Sequence, residues 1–123
     1  MERSTRAESG RAAEQAVCSW LVRHGYQIVA TNLRLGHYEL DIVARNGPVI
    51  AVVEVRTRGA GAWTRAFGSL SDKKRLRVRR AGERLWQRRY KHDQSVARLR
   101  FDAASVSFDT DGVARVEYVA AAF

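Results

Sequence analysis

Cysteine and proline are almost missing from this chain, with one of each among 123 residues. The lone Cys18 excludes an intramolecular disulfide and suits a reducing, cytoplasmic setting. Long hydrophobic runs are absent too. Nothing approaches the roughly 18 apolar residues that a membrane span needs. Met1-Glu2-Arg3-Ser4 leads into polar residues, so no secretory leader is expected. There is no Cys/His spacing for zinc, no phosphate loop and no dinucleotide glycine pattern. No repeat, low-complexity tract or linker interrupts the chain.

What remains is the composition of an ordinary folded domain, 46% hydrophobic and 28% charged. The length predicts one domain over residues 1–123, with residues 1–8 frayed. Such a chain buries roughly 65–70% of the surface it exposes when unfolded.

Acids are the scarcer charge, 13 against 22 Lys and Arg, for a net charge of +9. Only three of the 22 basic residues are Lys; the rest are Arg, the better bidentate partner for phosphate. Residues 73–91 hold ten basic residues and one acid, Glu83, so the whole net charge sits in that one segment. A local basic block implies a polyanionic partner, nucleic acid first. A solvated helix face is the plainer explanation.

Ala13, Ala16, Val17, Trp20 and Leu21 recur at helical spacing and predict a helix over 9–24, ended at Gly25. Short strands are expected at 26–30 and 38–44. Asn46-Gly47-Pro48 is a turn, and Val49–Arg56 reads as a central buried strand. Residues 57–70 read as a glycine-rich loop. Ser71 can cap a helix to about Tyr90, with Leu76, Leu85 and Trp86 on its apolar side and Gly82 weakening it. Two strands, 99–108 and 113–119, close the order α-β-β-β-α-β-β. This predicts an α/β fold with a mixed sheet.

Alternation along strands puts Glu39 and Asp41 on one face of the second strand, with Tyr38, Leu40 and Ile42 on the other. In the third strand Ile50, Val52, Glu54 and Arg56 share a face. Glu54 is the odd residue, an acid inside Val-Ile-Ala-Val-Val-Glu-Val. A buried ionised carboxylate needs a partner or a cation. If the two strands pair, Glu39, Asp41 and Glu54 converge, and a divalent cation would relieve their repulsion. Glu14 lies at the edge of the Val17/Leu21 stripe and could face the sheet. An ion-pair network through Arg56 and Arg58 would neutralise the same acids without metal. Of the aromatic residues, Trp63, beside Arg65 in the loop, is the best candidate for stacking on bases, while Trp20 and Trp86 fit core positions.

At these residues the chain resembles the YraN family of bacterial proteins. The resemblance rests on Gly36-His37-Tyr38-Glu39-Leu40-Asp41-Ile42-Val43-Ala44, then Val53-Glu54-Val55-Arg56-Thr57-Arg58, and on Glu14, Gly25-Tyr26, Asn32-Leu33-Arg34, Gly68, Lys74, Ala81 and Arg100-Phe101-Asp102. It covers about residues 9–108. That family is similar to the restriction-endonuclease-like, PD-(D/E)XK, nucleases and to Holliday-junction resolvases. The resemblance implies a central mixed sheet of about five strands flanked by two main helices, DNA as substrate, Mg²⁺ or Mn²⁺ as cofactor, and a homodimer. Carried over, Asp41, Glu54 and the Val55 carbonyl would hold the metal. Glu14 and Glu39 would be further acids of the site, and Arg56 would stand where the family has lysine. Arg58, Lys73, Lys74, Arg75, Arg77, Arg80 and Trp63 would meet nucleic acid. A guanidinium cannot be deprotonated, so Arg56 has no general-base role. Three readings stay open: a metal-dependent endonuclease, a non-catalytic nucleic-acid-binding protein on the same fold, and a basic protein-interaction module.

Overall fold

The computed structural model describes residues 6–57 and 71–123. Helix α1 (Arg6–Arg23) precedes three strands, β1 (Gln27–Leu35), β2 (Tyr38–Asn46) and β3 (Val49–Thr57). Helix α2 (Asp72–Leu85) runs into a single π-helical stretch (Trp86–Tyr90), and β4 (Arg98–Phe108) and β5 (Ala114–Val119) follow. The strands lie side by side in the order β1-β2-β3-β4-β5. Among the described residues β3 and β4 are the one parallel pair, and the other three pairings are antiparallel. Parallel neighbours need a long crossover, and the segment carrying α2 supplies it. Five mixed strands between two helices make this an α/β, restriction-endonuclease-like arrangement.

Each sheet face is buried by one helix. Ala13, Val17 and Leu21 of α1 pack with Ile42, Ala44, Ala51, Val53, Ala104 and Val106. Val78, Ala81 and Leu85 of α2 pack with Leu40, Val43, Ile50 and Val52 on the other side. β3 lies in the middle, and Ile50 to Val53 alternate between the two cores with almost no exposure. This is the physical reason for its apolar run Val49-Ile50-Ala51-Val52-Val53.

Several expectations need correction. Residues 6–8, expected to fray, belong to α1. β1 extends to Leu35, well past Ala30, through a register shift between Ile28 and Ala30 and a left-handed Asn32 (φ 49°). Leu76 is 48% exposed. It sits roughly 200° around the helix from Val78, and the sheet-facing stripe is Val78-Ala81-Leu85. The end of the second helix is wider than an α-turn, and this carries Tyr90 into the core beside Val96. Gly82 is no weakness there: a Cβ at this position would lie 2.6 Å from the Phe101 ring. The expected common face of Leu40 and Ile42 fails, because Leu40 joins the α2 core and Ile42 the α1 core. Side-chain alternation therefore slips at Asp41, between them.

Candidate metal and nucleic-acid site

Antiparallel pairing of β2 with β3 runs from Asn46↔Val49 to Ile42↔Val53 and stops there. The next pair in this register would be Asp41 and Glu54. Instead the strands part, and the Asp41 side chain fills in for the missing ladder: Val55 N donates to Asp41 Oδ2 at 2.9 Å. An otherwise unpaired backbone donor is satisfied, and the carboxylate is fixed at the fork between the strands.

Glu54 projects from β3 toward the α2 side and is 4% exposed. Its carboxyl is pushed up to about 7, first by burial and then by the negative charge of Asp41, with Lys74 opposing the rise. Lys74, in the first turn of α2, places Nζ 3.0 Å from Glu54 Oε1. The cap of that helix fixes the lysine's backbone: Ser71 Oγ accepts from Lys74 N at 3.2 Å. Among the described residues one ammonium, that of Lys74, pairs with Glu54, while Asp41 lies close enough to raise its pKa.

The other predicted acids stand further out. Glu14 is half-buried on α1 and accepts from Asn32 Nδ2 at 2.9 Å. Burial lifts its pKa, the Asn32 bond lowers it, and the charges of Asp41 and Glu39 raise it further. It thus flanks the pair and feels its field. Glu39 is exposed and lies 3.8 Å from Arg34 Nε. Among the described residues no group of three or more His, Cys, Asp or Glu side chains forms a metal cluster. The acids brought together are two, Asp41 and Glu54, whose carboxylate oxygens are of the kind a hard divalent cation takes. The negative charge of Asp41 raises the buried Glu54 carboxyl, a repulsion that a divalent cation would relieve.

Arg56, two residues beyond Glu54, has a buried Nε with no acceptor. It makes no ion pair among the described residues, so the Arg56 part of the alternative network does not form; its Arg58 part lies outside the described residues, and Glu54 pairs with Lys74. Arg75 Nε is likewise buried without a partner. Lys73, Arg77 and Arg80 are exposed along α2. Arg84 and Arg88, absent from the sequence-based candidates, continue their stripe at three- and four-residue spacing. The helical spacing itself was the available signal. Arg84 lies over the Tyr38 ring, 5.1 Å from its centroid, and Arg80, Arg84 and Arg88 line a groove with Tyr38, Glu83 and Gln87. Arg58 and Trp63 lie outside the described residues.

One acid named in the sequence only as part of the resemblance proves to be buried. Asp102, on β4, has no exposed surface. Arg100 Nε and Nη2 reach its two oxygens at 2.8 Å, Ala121 N donates at 2.8 Å, and the Tyr118 hydroxyl donates as well. Arg100 also donates to Tyr26 Oη at 2.8 Å. The signal was the one that singled out Glu54: an acid within an apolar strand, here Leu-Arg-Phe-Asp-Ala-Ala-Ser-Val.

Fold and site together define a restriction-endonuclease-like α/β domain with two acids at a strand fork and a basic helix beside them. The chain belongs to the uncharacterised protein family UPF0102, the YraN family, whose model matches residues 13–106. A UPF0102 protein of Sorangium cellulosum is 55% identical over 93% of this chain and 79% of its own length. UPF0102 proteins of Parafrankia sp. and Moorella thermoacetica are 33% and 36% identical, over 93% and 97% of this chain and 94% and 98% of their own lengths.

Proposed function

We propose that this protein binds DNA and acts on it as a Mg²⁺- or Mn²⁺-dependent endonuclease, with branched or damaged DNA as the substrate class. The observation that carries the reading is the meeting of the acid pair and the basic helix at Glu54 and Lys74, 3.0 Å apart. A cation site and a phosphate-binding surface then share one edge. Asp41, Glu54 and the Val55 carbonyl would hold the metal, which supplies Lewis-acid polarisation of a phosphoryl oxygen and a more acidic bound water. Arg56 would set its positive charge near the phosphate, stabilising charge as it builds. Lys73, Arg77, Arg80, Arg84 and Arg88 would track the backbone, positioning the nucleic acid without reading sequence.

A second reading follows from position 56. Arginine carries charge but cannot give up a proton, which favours a DNA-binding protein that has lost cleavage. The test is an assay of the full chain on junction, flap, single-stranded and duplex DNA with Mg²⁺ or Mn²⁺. Asp41→Ala is run alongside. Cleavage by the wild type that vanishes in Asp41→Ala supports the enzyme. Binding without cleavage supports the second reading, and cleavage gained in Arg56→Lys traces the loss to position 56. No binding at 150 mM salt contradicts both and turns the basic helix toward a protein partner. If five basic groups meet phosphates, log K falls against log salt with a slope of about −4.5.

A further inference from the structure

Glu54 is the buried end of an ion pair whose other end is open. Its side chain is 5% exposed, whereas that of Lys74 is 41% exposed. The two partners are also held differently. Glu54 sits on a central strand paired with β4 from Val49↔Arg98 through Thr57↔Val106. Lys74 reaches it on a long, flexible stem from the first turn of a helix whose backbone Ser71 anchors. The ammonium can therefore leave without moving any backbone, and the carboxylate cannot. A compact, strongly hydrated ammonium with three rotatable donors is suited to such exchange; a guanidinium is wider and holds its partners in a fixed fork.

We propose that Lys74 is the resident counter-ion of the Asp41–Glu54 pair: it occupies the place of a divalent cation, yields Glu54 when one binds, and is then free to meet a phosphate. This deepens the reading of the acid pair as a cation site and rests on it. Three observations converge. Lys74 is the one cation paired with either acid among the described residues. Arg56, the cation the strand itself supplies, leaves both acids alone and keeps its Nε unpartnered. Helix α2 carries Lys74 and the exposed Arg77, Arg80, Arg84 and Arg88 together, so a displaced ammonium swings toward the surface the nucleic acid would occupy. Metal binding would thus add a positive charge to the DNA-facing helix as it takes one from the acid pair.

A metal that must displace an ammonium binds more weakly than one meeting a free carboxylate, since like charges a few ångströms apart repel strongly in a partly buried site. Lys74→Met and Lys74→Gln should therefore bind Mn²⁺ about tenfold or more tightly than wild type, and Lys74→Arg should not. The probe is Mn²⁺ alone, titrated into the full-length chain without DNA by calorimetry at pH 8 in two buffers of different ionisation enthalpy, so that any proton the metal displaces once Lys74 is gone is counted apart from the binding itself. Glu54→Gln is the control that should abolish binding in every background. Thermal melts of each apo variant check folding, and the two neutral substitutions guard against an idiosyncrasy of one. Tighter binding in both neutral variants upholds the exchange. Equal or weaker binding in them overturns it, because Lys74 would then be a support for Glu54 and not its competitor. Absence of Mn²⁺ binding in all variants, the neutral ones included, also overturns it. Failure here is separable from failure of the nuclease reading, which is decided by DNA cleavage and not by the ratio of Mn²⁺ affinities.

Discussion

Asp102 and Glu54 sit on adjacent parallel strands, and both are buried acids, yet the protein treats them in opposite ways. Asp102 receives a two-pronged guanidinium, a phenol and a backbone amide. Charge-assisted bonds of this kind are strong and leave a carboxylate no capacity for a new ligand. The phenol is itself held by stacking: Tyr118 lies on Trp20 at 4.5 Å between ring centroids, and Trp20 on His24 at 3.7 Å. Burial and its bond to Asp102 hold the Tyr118 phenol protonated well beyond the ordinary tyrosine range. Glu54 has one half-exposed ammonium and, on its other side, a second acid. A fully satisfied carboxylate ties a fold together; an under-satisfied one beside a like charge is a place for a cation. Depth of burial does not separate the two. The count and sign of the partners does.

The largest effect expected from this contrast is at Asp102. Asp102→Ala leaves the Arg100 guanidinium, 18% exposed, without its anion. It should cost roughly 3–5 kcal/mol in urea denaturation at any pH from 5 to 8. Glu54→Gln should do the reverse. A carboxyl raised to about 7 binds its proton more tightly folded than unfolded. Wild-type stability should therefore fall as pH climbs from about 4.5 through about 7, and the glutamine variant should not share that fall. The two should agree near pH 4.5 and differ above pH 7 by roughly 1–3 kcal/mol in the variant's favour. Parallel pH profiles would break the contrast. Tyr118→Phe removes one of the Asp102 donors and should cost about 1.5 kcal/mol, measured the same way. The smallest effect belongs to Ser71→Ala, a lost helix cap worth about 1 kcal/mol. It should also loosen Lys74, which amide exchange across the first turn of α2 would detect.

What could be read in the sequence was what local chemistry controls. The Val17/Leu21 stripe gave α1, the Ser71 cap gave the start of α2, and the Val-Ile run gave the central strand. Glu54 stood out because an acid in such a run needs a reason. The extension of β1 was hidden, since Thr31-Asn32-Leu33-Arg34 has no strong strand signature and Asn32 takes a left-handed turn that only the tertiary pairing repays. The slip at Asp41 was hidden for a deeper cause: alternation assumes an unbroken ladder, and here the ladder opens at the site itself. Lys74 appeared as one more charge in a basic block. Its bond to Glu54 depends on how α2 crosses the sheet, which no local pattern records. Asp102 needed Tyr118 and Ala121, both far along the chain, before its role was visible.

The most direct test of the acid pair as a cation site is a carbon-13 NMR titration of the Glu54 carboxyl in the full chain, with and without Mg²⁺. The account predicts a midpoint near 7 in metal-free protein, moved to lower pH by Mg²⁺ and restored by chelation. A midpoint at the ordinary glutamate value, indifferent to Mg²⁺, would contradict it.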